Sequence, residues 1–264
     1  MTARSLPERF IEEKLSSHWK VDETEESFAC LLHHLEVSSN FRRYFEQALE
    51  GFMKRLVSPP KSQDLNLLDL GCGVAWTSAI LANKQEVRHV YAVEASQERL
   101  KHAQWVVRHF GVPLEKVTLQ LGTFAEFQVP GRVDGIILCA SFHHCYNDTV
   151  DLLFSNIQEI LAPGGKILLA NEHYVDFWFN LHRILSFLKH FFKQKKLFYS
   201  LSNLRAPYPF DGEHWRTKTD LTEIFHRNGL KADFFIHEGD LCKEEVSFIR
   251  KMGYHYYYAI LERN

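Results

Sequence analysis

The sequence predicts an α/β protein. A mostly parallel sheet of seven strands carries helices on both faces, with a helical cap before it and one helical insertion after the fifth strand. Three observations predict this. Short apolar runs alternate with amphipathic stretches from residue 65 to residue 172, the pattern of successive strand–helix–strand units. Runs such as GIILCA and KILLA are apolar without alternation, as strands buried on both faces are. Two closely spaced glycines, Gly71 and Gly73, directly follow the first run.

Taken in order, residues 1–58 read as a helical cap. Apolar positions recur at helical spacing, with a polar break at Ser38-Ser39-Asn40. Pro59 and Pro60 then end the helix, and 58–64 is a linker. LNLLDL (65–70) is a strand, AWTSAILAN a helix, VRHVYAVE (87–94) a strand, and SQERLKHAQWVVRHFG a helix stopped by Gly111. KVTLQLG and RVDGIILCA (132–140) are strands. The next helix, DTVDLLFSNIQEILAPGG, stops at Pro163-Gly164-Gly165, and KILLANE (166–172) is the fifth strand. Residues 173–212 break the rhythm. It resumes with the helix KTDLTEIFHRNG, entered near Thr219 or Asp220, and the strands LKADFFIH and HYYYAILER. The core is therefore 62–172 with 213–264, the cap 1–58 and the insertion 173–212.

Composition narrows the function classes. Of 264 residues, 45% are hydrophobic and 24% charged, which excludes disorder, collagen and coiled coil. A net charge of −2 argues against general nucleic-acid binding, which usually needs a basic face. Aromatics reach 14%, enough to line a pocket with rings or to build a ring-rich core. The five cysteines form no CxxC pair, so neither a disulfide framework nor a structural zinc site is expected. MTARSLPERFIEEK has no apolar h-region, and no run of 18 apolar residues occurs. The expected compartment is reducing and cytoplasmic.

The sharpest motif is LLDLGCGVAW (67–76) with Glu94 at the end of the next strand. Glycine at a strand-to-helix turn allows positive φ and close ligand approach. Glu94 lies 21 residues after Gly73, where a carboxylate can accept hydrogen bonds from both hydroxyls of a ribose. A dinucleotide site has a third glycine for close helix–strand packing at the pyrophosphate, and here that position is Trp76. No GK[ST] is present, so there is no P-loop. The segment resembles the S-adenosylmethionine site of class I methyltransferases, which have a Rossmann-like sheet. VDGIILCASFHHCYND (133–148) resembles that family's fourth strand and following loop. LAPGGKILLANE (161–172) resembles its LKPGG turn and fifth strand, and the last two strands resemble a pair that is partly antiparallel.

The resemblance implies S-adenosylmethionine as cofactor and S-adenosylhomocysteine as product. It places Gly71 and Gly73 against the methionine part, Glu94 on the ribose and Asp69 near the amino group. Thr123 and Phe124 fall beside adenine, at a turn where the family often has an Asp. Ala140, after the fourth strand, also falls among the cofactor residues. The implied reaction is in-line methyl transfer, in which positioning the nucleophile does much of the work. ASFHH lacks the [DN]PP[YF] motif of DNA and glutamine N-methyltransferases, and Cys139 lacks the Pro-Cys context of the RNA cytosine enzymes. The acceptor is thus expected to be a small or medium organic molecule, methylated on oxygen or nitrogen beneath cap and insertion. His143, His144, His173 and His214 are the candidate bases, and sequence does not rank them. No HxxxH or paired-acid spacing supports a metal.

Within the insertion, residues 177–210 hold six cations and no acid, while Trp178, Leu181, Ile184, Leu185 and Leu188 share a helical face. That stretch reads as a lid over the site, as a membrane-surface helix over 177–198, or as a grip on an anionic acceptor. The alternatives to small-molecule methylation are a tRNA or protein methyltransferase docked through this basic segment and a non-catalytic cofactor-binding module. An aminopropyl transferase, which shares the fold, is disfavoured by the lack of a paired-acid loop after the fourth strand.

Overall fold

A computed structural model describes residues 21–56, 64–176, 181, 216–237 and 253–264. Its seven strands are β1 (Leu65–Leu70), β2 (Val87–Glu94), β3 (Val117–Leu121), β4 (Val133–Cys139), β5 (Leu161–Val175), β6 (Leu230–Ile236) and β7 (Tyr254–Arg263). They are ordered β3-β2-β1-β4-β5-β7-β6. β1 to β5 are parallel; β7 runs antiparallel to both β5 and β6. Strand order reverses between β1 and β4, and ligands of open α/β sheets bind at the carboxyl ends of strands beside such a reversal.

Side chains alternate between two apolar layers, which is why the strands read as unbroken apolar runs. Leu67 and Leu168 join one layer; Leu68, Leu70, Ile167 and Leu169 join the other. The first layer is covered by α1 (Glu25–His33), α2 (Phe41–Leu56), α3 (Trp76–Ala82) and α4 (Gln97–His109). The second is covered by α5 (Val150–Ile160) and α6 (Lys218–Arg227). Helix α2 lies directly on the sheet. Its Phe45, Ala48, Leu49 and Phe52 are fully buried, and a Cβ on Gly135 of β4 would come within 2.7 Å of the Phe52 ring. Between α1 and α2 the chain makes a π-turn at His34–Ser38, beside the polar break noted in the sequence.

The helix before β5 ends at Ile160 and β5 begins at Leu161, where the sequence reading ran the helix on to Pro163-Gly164-Gly165 and began the strand at residue 166, and two further details differ. β5 extends to Val175, into the stretch assigned to the insertion, because its pairing with β7 continues to Tyr254. Helix α6 begins with the N-cap Thr217 rather than near Thr219: the Thr217 hydroxyl accepts from Asp220 N, and Asp220 accepts from Thr217 N. The rest of the insertion except residue 181, His214 and residues 1–20 of the cap lie outside the described residues. No helix among the described residues is long and apolar enough to cross a membrane.

Candidate active site

The carboxyl ends of the parallel strands open on a cavity of about 790 Å³. Its walls include Leu70 and Gly71 after β1, Glu94 at the tip of β2, the first turn of α4, Gly122–Phe124 after β3, and Ala140, Ser141 and His144 after β4.

The two glycines do different work. Gly71 has φ +80°, and a Cβ there would lie 2.6 Å from Ser141 Cβ, so glycine lets the turn after β1 pack on the loop after β4. Ser141 secures that contact by donating its hydroxyl to the Leu70 carbonyl at 2.9 Å. Gly73 has φ +59°, yet a Cβ there would meet no atom within 4 Å; it faces open space.

Glu94 is nearly buried. Its Oε2 accepts from Gly73 N at 2.8 Å and its Oε1 from Ser96 N at 2.9 Å, so one carboxylate ties the glycine turn to the start of α4. An ionised carboxylate has about four acceptor positions, so these two bonds leave capacity toward the cavity. Asp69 is fully buried beneath the turn. Thr77 and Ser78 donate their hydroxyls to its Oδ2, each at 2.6 Å, while Oδ1 has no partner. Burial, helped by the charge of Glu94, pushes the Asp69 carboxyl up to about 6.

Thr123 caps its own turn, its hydroxyl accepting from Ala125 N and Glu126 N. The Phe124 ring is buried, 3.6 Å from where a Gly71 Cβ would be. Ala140 has φ +49°, a left-handed conformation that turns the chain from β4 into the histidine loop.

That loop is held from two sides. Glu172 of β5 accepts from Ser141 N and Phe142 N on Oε1, at 2.8 and 2.7 Å, and from His143 N on Oε2 at 3.1 Å. Its Oε2 also meets His143 Nδ1 at 2.9 Å. From the opposite end, the buried Arg216 donates to the carbonyls of Phe142 and Cys145 and to Asn147 Oδ1, with its guanidinium over the Phe142 ring. The single turn Phe142–His144 thus has its N–H end on a carboxylate and its carbonyl end on a guanidinium. Glu172 reaches the loop because β5 shifts register between Leu169 and Glu172, where Asn171 takes φ +52°.

Three of the four candidate histidines fall together, and the fourth, His214, lies outside the described residues. The His143 ring is 4.2 Å from that of His144 and 4.7 Å from that of His173. His144 lines the cavity. His173 is buried and stacks on Tyr254 at 4.8 Å. Burial first, then the charges of His143, His144 and Arg216, hold its imidazole well below the usual range, and its Nε2 has no partner. Cys139 is buried with its thiol pushed up by burial, which disfavours a nucleophilic role. Among the described residues, no group of three His, Cys, Asp or Glu side chains is arranged to hold a metal ion. The sequence reading missed Ser141 and Arg216, for which no local motif exists.

Residues 67–165 match a family described as a methyltransferase domain. Over 113 residues the chain is 31% identical to an uncharacterized methyltransferase of Bacillus cytotoxicus, covering 42% of this chain and 49% of that protein. It therefore spans about half the length of the curated relatives it matches. A solved S-adenosylmethionine-dependent methyltransferase from Clostridium acetobutylicum has a similar fold, with TM-score 0.59 and 15% identity over 90% of this chain and 98% of that one. So does the magnesium protoporphyrin IX methyltransferase of Synechocystis, solved with bound S-adenosylmethionine, with TM-score 0.57 and 13% identity over the whole of both chains.

Proposed function

We propose that residues 67–165 form a methyltransferase domain of the class I, S-adenosylmethionine-dependent type, and that the chain transfers a methyl group to oxygen or nitrogen of a small or medium organic acceptor. The observation that carries the reading is the open space at Gly73 beside the two buried acids.

The residues fit the cofactor in three ways. Glu94 faces the cavity with acceptor capacity left for a ribose diol. The orphaned Oδ1 of Asp69 suits a nearby ammonium or a water bridging to one. Leu100, Leu119 and Phe124 line the cavity with apolar surface suited to a purine, next to the backbone of Gly122 and Thr123. Trp76 is buried against Phe45, with ring centroids 5.3 Å apart, at the position where a pyrophosphate-binding turn has its third glycine.

The cofactor supplies a methyl group already activated on a sulfonium. The chain then has to bind it, exclude water and hold an acceptor in line. Gly71 and Glu94 hold one side, and Ala140, Ser141 and His144 bound the other, where an acceptor would approach. The small-molecule acceptor is favoured by a histidine loop in place of the [DN]PP[YF] motif. Calorimetry with S-adenosylhomocysteine tests the cofactor site. A labelled-methyl assay against fractionated cell extract, with mass spectrometry of the product, tests the acceptor. A product in the tRNA or protein fraction would overturn the small-molecule reading, and cofactor uptake without transfer to any fraction would leave a binding module.

A further inference from the structure

Arg216 is buried, and among the described residues none of its hydrogen bonds goes to a carboxylate. Its Nε and Nη2 donate to Asn147 Oδ1 at 3.2 and 2.9 Å, Nη2 also to the Cys145 carbonyl, and Nη1 to the Phe142 carbonyl. Four of its five N–H groups are thus engaged, all with one loop. Its flat face lies over the Phe142 ring. A guanidinium so occupied has no fork left with which to grip an anionic acceptor.

The main chain of Arg216 is fixed as closely. Its carbonyl accepts from Val175 N at 2.9 Å, and Thr217 bridges in parallel to Val175. Val175 stands at the end of β5, which also carries Glu172. The carboxylate that holds the N–H groups of Ser141, Phe142 and His143, and the guanidinium that holds the carbonyls of Phe142 and Cys145, are therefore both mounted on the carboxyl end of one strand. The loop they grip bears on the cavity. Ala140, Ser141 and His144 line it, and Ser141 packs against Gly71 of the turn after β1. A shift of the loop would move the cavity wall and disturb the glycine turn together.

We propose that Arg216 is a positioning residue for the transfer: it fixes the loop after β4, and with it Ser141 and His144, as one wall of the cofactor cavity, while touching neither cofactor nor acceptor. This rests on the reading of that cavity as the cofactor site and deepens it. Charge and shape both count. Glu172 acts on Arg216 across the turn, and each stands at the end where its sign suits the exposed backbone groups. Lysine at 216 would keep the charge, but an ammonium lacks the planar fork that meets Asn147 and two carbonyls at once.

The test compares the intact wild-type chain with Arg216→Lys. Calorimetry should show several-fold weaker S-adenosylhomocysteine binding. Turnover of the acceptor fraction from the labelled-methyl assay should fall roughly 10–100-fold, the scale of a misplaced site. Hydrogen exchange read by mass spectrometry should quicken at Ser141, Phe142 and His143 and stay unchanged in β1 to β3. In Arg216→Ala, guanidinium chloride too dilute to unfold the wild type should restore part of the affinity, and urea at the same concentration should not. Wild-type affinity and turnover in Arg216→Lys overturn the proposal. Exchange that quickens equally across the sheet overturns it too, because a merely structural residue would act that way, and so does a folded Arg216→Ala that guanidinium leaves unrescued. If neither variant folds, Asn147→Ala decides by the same exchange and affinity readouts, since this exposed side chain accepts two of the guanidinium bonds. Failure of the wild-type chain to bind S-adenosylhomocysteine would instead sink the cofactor reading, since the exchange pattern is measured without cofactor.

Discussion

Glu94 and Asp69 are buried acids at the ends of neighbouring parallel strands, but their surroundings assign them different work. Glu94 carries two backbone bonds and faces the cavity, so Glu94→Ala should weaken S-adenosylhomocysteine binding by about 10–100-fold, from the loss of charged hydrogen bonds worth about 1.5–3 kcal/mol. Unchanged affinity by calorimetry would remove the ribose assignment. Gly73→Val should abolish cofactor uptake, because the side chain would enter open space beside the turn and resist φ +59°; a folded variant with normal uptake would mean that the backbone is not in contact. Asp69 has a folded pKa raised above its unfolded value, so its share of stability is full below about pH 4 and is lost as pH rises through about 6. Asp69→Asn should flatten that part of the stability–pH curve in chemical denaturation. The same carboxylate should meet a cofactor ammonium best when ionised, so affinity should rise with pH through about 6. Glu94 was legible because its spacing from the glycine turn is local to one strand–helix–strand unit. The bonds that Glu172 and Arg216 make to the histidine loop were not: their loop partners lie 31 and 71 residues away in sequence, and no periodicity relates them.

At the scale of elements, caps and register position the site. The Thr217–Asp220 box starts α6 and immediately follows Arg216, so it fixes the backbone from which the guanidinium reaches the histidine loop. Thr217→Ala should cost about 1 kcal/mol in urea denaturation, and should broaden the NMR signals of His143 and His144 if the cap also steadies Arg216. Strand existence and helix existence were readable, because period two and period 3.6 are properties of short windows. The end of β5 was not readable from its own residues. Val175 is a strand residue because Tyr254 pairs with it, and pairing depends on a partner far along the chain.

At the scale of the molecule, α2 belongs to the layer that covers the sheet. Its Phe52 is fully buried and meets β4 closely at Gly135, so Phe52→Ala should destabilise the whole chain by about 3–5 kcal/mol. Thermal unfolding in which a cap melts separately, with the sheet unchanged, would contradict this. The alternation of strands and helices, the glycine turn and the acid after β2 are written locally, so the sequence alone determined the α/β architecture and which glycines and acid stand at the ends of β1 and β2. Only the tertiary structure decided that Gly71 packs on Ser141 while Gly73 faces open space. Only it brought one carboxylate and one guanidinium to opposite ends of the histidine turn. The physical reason is that local patterns follow from backbone geometry within a few residues, whereas a loop's partners are chosen by how distant strands are registered in the finished sheet.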